Sequence, residues 1–298
     1  WAWANAWHQY GIEYYPKLVV AVPFSPVTGR RMLVSPAGRK NAVEQVLLKS
    51  AIDYAVEHGQ SSIHFLFPTS VECNELKQQG LLIRHDVQFH WCNANYADFS
   101  SFLATLSSRK RKKIARERRR VAENEIQFRT VTGSALDEHH MDRMYRFYLS
   151  TIRDHGSSPY LNNDFFRHLA ENLADNIVLI EAMLDGSVIA AAMNIRHEDT
   201  LYGRYWGCEE QFHSLHFETC YYQSIDYCIN HGLSYFEGGA QGEHKLSRGF
   251  LPVITCSAHW MAEKNLTPAI SNFLDREKQH VAHYQQLLNE RSPYRKNS

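Results

Sequence analysis

The 298-residue sequence lacks any apolar run long enough to cross a bilayer. Its longest, Ile177 to Ile180 and Val188 to Met193, fall far short of the roughly 20 residues that a spanning helix needs, so no transmembrane segment is expected. The six cysteines, at 73, 92, 208, 220, 228 and 256, include no CxxC pair. That speaks against a disulfide framework and points to a reduced, cytoplasmic compartment. The seventeen histidines are scattered, with no HExxH and no cysteine partners, so no metal site is expected. Net charge is missing too, because 32 basic and 32 acidic residues cancel. The cancellation hides a strong asymmetry. Residues 109 to 120 hold nine basic residues and one acid, which leaves the rest of the chain acidic.

A length of 298 residues with 44% hydrophobic composition suits two ordinary domains or one large one. The chain opens on Trp1 inside a helix-like stretch rather than on Met, and a further N-terminal portion is expected. Internal repetition is visible. Ile52-Asp-Tyr-Ala-Val-Glu-His-Gly-Gln-Ser61 aligns with Ile225-Asp-Tyr-Cys-Ile-Asn-His-Gly-Leu-Ser234 at an offset of 173, with six of ten positions identical. In each copy, apolar residues at helical spacing run to a glycine able to take the left-handed conformation, and then a strand begins. His90-Trp91 and His259-Trp260 repeat in the same order at an offset of 169. The pattern predicts a duplicated unit.

In the second half, a strand at Ile126 to Val131 precedes helices near 137–155 and 163–174. Ile177 to Leu184 and Val188 to His197 form a hairpin across Asp185-Gly186, a strong turn signal. Strands near 201–206, 235–238 and 253–261 and helices near 216–231 and 267–290 follow. In the first half, strands are expected at 17–23, 31–34, 62–67 and 81–92, with a helix at 39–57. The order is mixed α/β with an antiparallel hairpin, which excludes a simple doubly wound sheet.

Three segments could carry chemistry. Tyr235-Phe236-Glu237 leaves a strand into Gly238-Gly239-Ala240-Gln241-Gly242, followed by Glu243-His244-Lys245 and Arg248. Glycine N–H groups can form an anion-binding nest, and Gly238, Gly239 and Gln241 are donor-binding candidates. Glu237, Glu243 and His244 can move a proton, while Lys245 and Arg248 can hold phosphate or carboxylate. The segment matches neither GxxxxGK[ST] nor GxGxxG, so it is no mononucleotide loop. The second segment joins Arg204, Tyr205 and Trp206 at a strand end to His216 and Glu218 at a helix start, where an anion or oxyanion could sit. Helical spacing also places His216 and Cys220 on one face, a conceivable nucleophilic dyad, although a small buried apolar role suits Cys220 better. The third is the basic run. Leu103, Leu106, Ile114 and Val121 fall on one helical stripe, and Ser107 or Ser108 can cap the helix start. Arg109, Lys110, Arg111 and Lys113 then offer an anion-binding surface for coenzyme A, tRNA or a nucleotide-linked precursor. Each segment also has a plain structural reading as a turn, an ion-pair cluster or a solvated helix face.

On these residues the sequence resembles a bacterial family of Fem-like N-acyltransferases of peptidoglycan biosynthesis or recognition, within the GNAT-like superfamily. The stretches that carry the resemblance are Ser107-Ser-Arg-Lys-Arg-Lys-Lys-Ile114, Leu201-Tyr-Gly-Arg-Tyr-Trp-Gly207, His216-Phe-Glu-Thr-Cys-Tyr-Tyr222 and Phe236-Glu-Gly-Gly-Ala-Gln-Gly-Glu-His-Lys245, and it extends over essentially the whole chain. The resemblance implies α/β tandem GNAT-like folds: an N-terminally incomplete first unit at 1–95, a basic linker helix at 96–124 and a complete second unit at 125–298 with the active site. It also implies transfer of an acyl or aminoacyl group to an amine, with a cell-wall precursor as a candidate acceptor. Acyl-CoA or aminoacyl-tRNA would be the co-substrate, with no permanently bound cofactor. The chain departs from ordinary GNAT enzymes in one place: Gly207-Cys-Glu-Glu-Gln-Phe-His-Ser214 stands where those carry a [QR]xxGx[GA] pyrophosphate loop.

The expected chemistry is direct attack by an amine on an activated ester or thioester. Glu243 or His244 serves as base, Glu237 orients the base or the amine, and glycine N–H groups serve the oxyanion. The alternatives are a non-catalytic nucleic-acid or cell-wall-precursor binding protein on the same fold, and a thiol hydrolase using Cys220.

Overall fold

A computed structural model describes residues 2–35, 40–239 and 242–295. In chain order its elements are α1 (Ala2–Gln9), β1 (Leu18–Val20), α2 (Lys40–Glu57), β2 (Ser62–Leu66), α3 (Ser70–Gln78), β3 (Leu82–Cys92), α4 (Phe99–Thr105), α5 (Ser108–Ala122) and β4 (Gln127–Val131). They continue with α6 (Glu138–Asp154), α7 (Asn163–Leu173), β5 (Ile177–Leu184), β6 (Ser187–His197), β7 (Thr200–Cys208), α8 (Leu215–Phe217), α9 (Gln223–Asn230), β8 (Tyr235–Glu237), β9 (Leu251–Met261) and α10 (Thr267–Glu290). The class is mixed α/β, as the sequence predicts.

Contacts divide the chain into two units, Trp1–Gln88 with Val253–Leu287, and Phe89–Pro252 with Leu288–Ser298. The units are therefore discontinuous in sequence, unlike a division at residues 95 and 124. In the first unit the strand order is β1-β2-β9-β3; in the second it is β3-β8-β7-β6-β5-β4. β3 and β9 each cross a boundary, at Gln88/Phe89 and Pro252/Val253.

The repeated decapeptides have the same local structure. Gly59 and Gly232 take φ of +63° and +64° after their helices, as a left-handed C-terminal cap requires. His58 donates from Nδ1 to the Tyr54 carbonyl at 2.9 Å, with the two rings 3.9 Å apart. His231 does the same to Tyr227, at 2.9 Å and 3.9 Å. The strands that follow also correspond. β2 pairs parallel to β1 (Leu18↔Ile63) and antiparallel to β9 (Ile63↔Trp260). β8 pairs parallel to β7 (Leu201↔Phe236) and antiparallel to β3 (Trp91↔Phe236). The antiparallel partners are exchanged in sequence: β3 follows β2 along the chain but pairs with β8, and β9 follows β8 but pairs with β2.

In the first unit the core gathers Leu48, Ala55, Ile63, Phe65, Leu76 and Leu81. The strand expected at 31–34 does not form. The Glu72 carboxylate accepts instead from the N–H groups of Arg31 and Met32, at 2.9 and 2.7 Å, so a side chain takes the place of a neighbouring strand. Buried beside this core, His64 and His259 approach Nδ1 to Nδ1 at 2.6 Å and share a proton. Tyr14 and Ser62 hydroxyls reach His64 Nε2, Ser257 reaches His259 Nε2, and the Trp3 ring lies 4.8 Å from His259. Burial, reinforced by Lys17, lowers His64 to about 4; burial, then His64 and Arg84, lowers His259 as well. Between the ordinary value near 6.5 and about 4, the unfolded chain binds protons that the folded chain refuses. Stability from this pair is thus intact above pH 6.5 and falls as the pH drops through that window, by about 1.4 kcal/mol per pH unit for each histidine at most. Urea midpoints measured from pH 7.5 to pH 5 should fall for the native protein and fall less for His64→Gln.

In the second unit, α6 is started by an Asp137–His140 capping box and sends Met141, Met144, Phe147 and Tyr148 onto Ile177, Leu179, Ala191 and Met193 of the sheet. Its backbone crosses β7 at Gly207, where a Cβ would lie 1.9 Å from the Phe147 carbonyl oxygen. Thr151 and Ser150 hydroxyls donate to the carbonyls of Trp206 and Cys208 at 2.7 and 3.1 Å, fixing that crossing. Gly207→Ala should lower stability by about 1–3 kcal/mol or more, read as a reduced urea midpoint with an unchanged slope. The Asp185-Gly186 turn joins β5 to β6 with both residues at positive φ, as expected.

Candidate active site

β7 and β8 run parallel and pair over three positions only, from Thr200↔Tyr235 to Tyr202↔Glu237. β8 then stops at Glu237, the chain turns through Gly238 and Gly239, and β7 continues to Cys208. Two parallel strands that part in this way leave a fork. It holds a cavity of about 120 Å³ lined by Asn194, Arg204, Tyr205, His216, Tyr221 and Gly239 among others. A β-bulge shapes one wall. Met193 pairs with Tyr205 and Asn194 with Gly203, so the register steps over Arg204. The extra residue re-aims the strand: Trp206 meets the His216 ring at 5.3 Å on one face, and Tyr205 meets Tyr148 at 5.4 Å on the other. The Arg204 guanidinium lies 5.2 Å from the Tyr205 ring centre and 3.4 Å from its hydroxyl. The facing helix runs from Leu215 through α8, a π-helical turn at Glu218–Tyr222, and α9. Such turns widen a helix locally and recur at functional sites.

The glycine segment forms the floor. A Cβ at Gly238 would lie 2.9 Å from the Phe250 ring, and Gly239 takes φ +88°. Lys245 is 2% exposed and donates from Nζ to the Gly239 carbonyl at 2.7 Å; burial lowers its ammonium to about 8. In the first unit, Leu66 stands 173 residues before Gly239, and its carbonyl accepts from Arg31 Nε at 2.6 Å. There the cation is Arg31, from the chain after β1.

The three acid–base candidates separate clearly. Glu237, at the fork, is the least exposed of the three, and partial burial raises its carboxyl to about 7. Glu243 is exposed, with Arg291 at 3.7 Å. His244 is exposed at the rim, with Nε2 3.1 Å from the Tyr221 hydroxyl, and partial burial of its ring followed by the charges of Arg248 and Lys245 lowers it. His216 is lowered to about 4, first by burial and then by His244, Arg248 and Lys245. Burial pushes the Cys220 thiol above its ordinary range, which disfavours the thiolate that nucleophilic attack needs. Gln241 lies outside the described residues.

Two candidate binding residues, Arg248 and Glu218, are engaged by the protein itself. Arg248 is 1% exposed; its Nη2 reaches both Glu117 oxygens at 3.0 Å, and its guanidinium carbon sits 3.5 Å from the Phe217 ring centre. The Tyr222 hydroxyl donates to the same carboxylate. Glu218 accepts from Arg118 Nε at 3.1 Å and from Gln223 at 2.8 Å, and burial raises its carboxyl. Glu117 and Arg118 belong to α5, so the basic helix is packed against this site through Ile114, Glu117 and Val121. Ser107 occupies its N-cap position without a side-chain cap bond. Arg109 is exposed, Lys110 and Arg111 are half-buried, and Lys113 reaches Ser247 Oγ at 3.4 Å. Burial first, then Lys113, Arg109 and Arg248, lowers Lys110.

Sequence reasoning missed Glu117, Tyr222 and His90. Glu117 was legible as the single acid in line with Ile114 and Val121 at i+3 and i+7. Nothing local marks His90, whose role depends on strand pairing with Glu237. Among the described residues no group of three or more potential ligands could hold a metal, and no helix is long and apolar enough to cross a membrane.

Comparison with solved structures shows the fold. The chain is similar to the C-terminal domain of a putative lysylphosphatidylglycerol synthetase from Agrobacterium fabrum, at 11% identity and TM-score 0.55, covering 74% of each chain. It is similar to FemX at 12% identity and TM-score 0.53, covering 84% of this chain and 85% of that one. It is also similar to L-PGS from Bacillus licheniformis at 10% identity and TM-score 0.53, covering 77% of this chain and 76% of that one. No curated protein sequence matches. These likenesses and the single mixed sheet agree with the α/β fold class expected from the sequence. The profile of the FemAB-like family, described as peptidoglycan biosynthesis/recognition, matches residues 1–296, and the chain belongs to that family.

Proposed function

We propose that the second unit is an N-acyltransferase that moves an acyl or aminoacyl group from an activated donor to an amine at the β7/β8 fork. The observation that carries this reading is Glu237. It is a partly buried carboxyl brought close to neutrality, placed at the point where two parallel strands part and beside a glycine turn with a left-handed residue. A base with that affinity can take the proton of an acceptor ammonium at physiological pH. The reacting carbonyl would enter the fork, where backbone N–H groups of the parted strands and the Gly238-Gly239 turn can serve the oxyanion. Arg204, Tyr205, Trp206 and His216 would line the donor's path, with Lys245 holding the turn rather than a ligand. Glu243 and His244 would act at the rim, and Arg248 and Glu218 would anchor α5.

Donor phosphates would bind on the α5 side, at Arg109, Lys110, Arg111 and Lys113, since the segment after β7 supplies Glu209 and Glu210 where anions would otherwise meet a helix start. That placement suits aminoacyl-tRNA better than acyl-CoA. The family description supports a cell-wall precursor as acceptor. The first unit has His64 in place of Glu237 and Phe65-Leu-Phe-Pro-Thr69 in place of the glycine segment, which supports a single active site. The test is transfer of a labelled group from aminoacyl-tRNA, or from acyl-CoA, to amine-bearing peptidoglycan precursors, resolved by mass spectrometry. Transfer from aminoacyl-tRNA that is lost on neutralising Lys110 and Lys113 is expected. No transfer from either donor, with retained binding of tRNA or precursor, would establish the binding-protein alternative.

A further inference from the structure

His90 and Glu237 face each other across β3 and β8, so their side chains stand on one face of the second unit's sheet. Nδ1 of His90 lies 3.8 Å from Glu237 Oε1, and the two side chains are 12% and 15% exposed. Tyr202 is the register partner of Glu237 on its other side, on β7. Lys245, from the turn that follows the glycine segment, is the cation acting on His90. The first unit repeats this placement. His64 and His259 occupy the corresponding positions of β2 and β9, and their rings meet at 2.6 Å. The paired strands thus bring the side chains of these two positions together in both units, which makes the approach of His90 to Glu237 a property of the architecture rather than of one rotamer.

We propose that His90 is a positioning residue that aims the Glu237 carboxylate at the acceptor amine. The proposal rests on the reading of Glu237 as the base. In the reaction the acceptor ammonium gives a proton to Glu237, and the free amine lone pair attacks the donor carbonyl carbon. The new C–N bond forms as the donor C–O or C–S bond breaks, and the departing oxygen or sulfur takes a proton from the attacking nitrogen. His90 stays neutral throughout, because burial and Lys245 disfavour its charged form. In the tautomer that carries its proton on Nδ1, His90 donates to the carboxylate and stabilises the ionised state that accepts the proton. At 3.8 Å the contact is longer than a hydrogen bond, so a small rotation of either side chain completes it when the amine arrives.

The test reads Glu237 directly, by infrared titration of protein carrying isotope-labelled glutamate. A carboxyl that titrates near neutrality and disappears in Glu237→Gln is the expected signature. His90→Leu, which removes the donor, should move that titration upward by about one pH unit, and His90→Gln, which keeps an N–H donor, should restore most of it. With an active donor and acceptor pair, the acid limb of kcat/KM should move the same way while KM stays nearly constant. If the Glu237 carboxyl titrates identically in His90→Leu and the native protein, His90 has no such role. If no near-neutral carboxyl is sensitive to Glu237→Gln, the base assignment itself fails, and the His90 proposal with it.

Discussion

Replacing Glu237 with Gln is expected to lower kcat by about 10²- to 10⁴-fold, the usual share of a positioned general base, with KM little changed. The glutamine keeps the size and the polar contacts of the side chain but cannot accept the proton. Because burial raises the carboxyl to about 7, the native kcat/KM should climb as the pH rises through 7 and level off above it, the base being active only when ionised. The variant should have no such limb. Glu243→Gln and His244→Ala should each cost about tenfold or less, since an exposed carboxylate beside Arg291 and a rim histidine bonded to Tyr221 are poorly isolated from water. Full activity in Glu237→Gln with a large loss in His244→Ala would transfer the role of base to His244.

The largest effect on stability is expected at Glu117. Its carboxylate holds Arg248 and the Tyr222 hydroxyl, all within the interior, and links α5 to the turn that carries the glycine segment. Glu117→Ala leaves a guanidinium without its counter-charge in a place that water does not reach, which costs about 3–5 kcal/mol. Part of that penalty belongs to the stranded cation rather than to the bond. Glu117→Leu combined with Arg248→Met should therefore recover much of the loss, because two apolar side chains need no partner. Urea denaturation of the single and double variants separates the two contributions. A single-variant loss below about 1 kcal/mol, the range of an exposed pair, would show that the interior charge is solvated in solution.

Much of the architecture was legible because it is encoded locally. The Asp185-Gly186 turn, α6 with its Asp137 cap and α2 and α9 with their terminal glycines all follow from spacing and turn chemistry within a few residues. The decapeptide repeat showed a duplication whose register the strands reproduce. What was hidden depends on distant partners. The strand expected at 31–34 gave way to a carboxylate 41 positions later in sequence. The basic run read as a free anion surface because the role of its single acid appears only when Arg248 is folded against it. The glycine segment was identified from composition, whereas the ranking of Glu237 above Glu243 needed burial, which spacing does not report.

The exchanged strands also govern how the polypeptide acquires its shape during synthesis. β2 is made early, yet the strand that completes its antiparallel side, through Ile63↔Trp260, emerges almost 200 residues later. The first unit must therefore wait on the ribosome with one edge of its central strand unpaired, while the second unit already has every strand of its sheet once β8 appears. Such long-range closure is slow and exposes sticky edges in the meantime. A chain released before β9 would leave β2 without its antiparallel partner and the second unit without its Leu288–Ser298 segment.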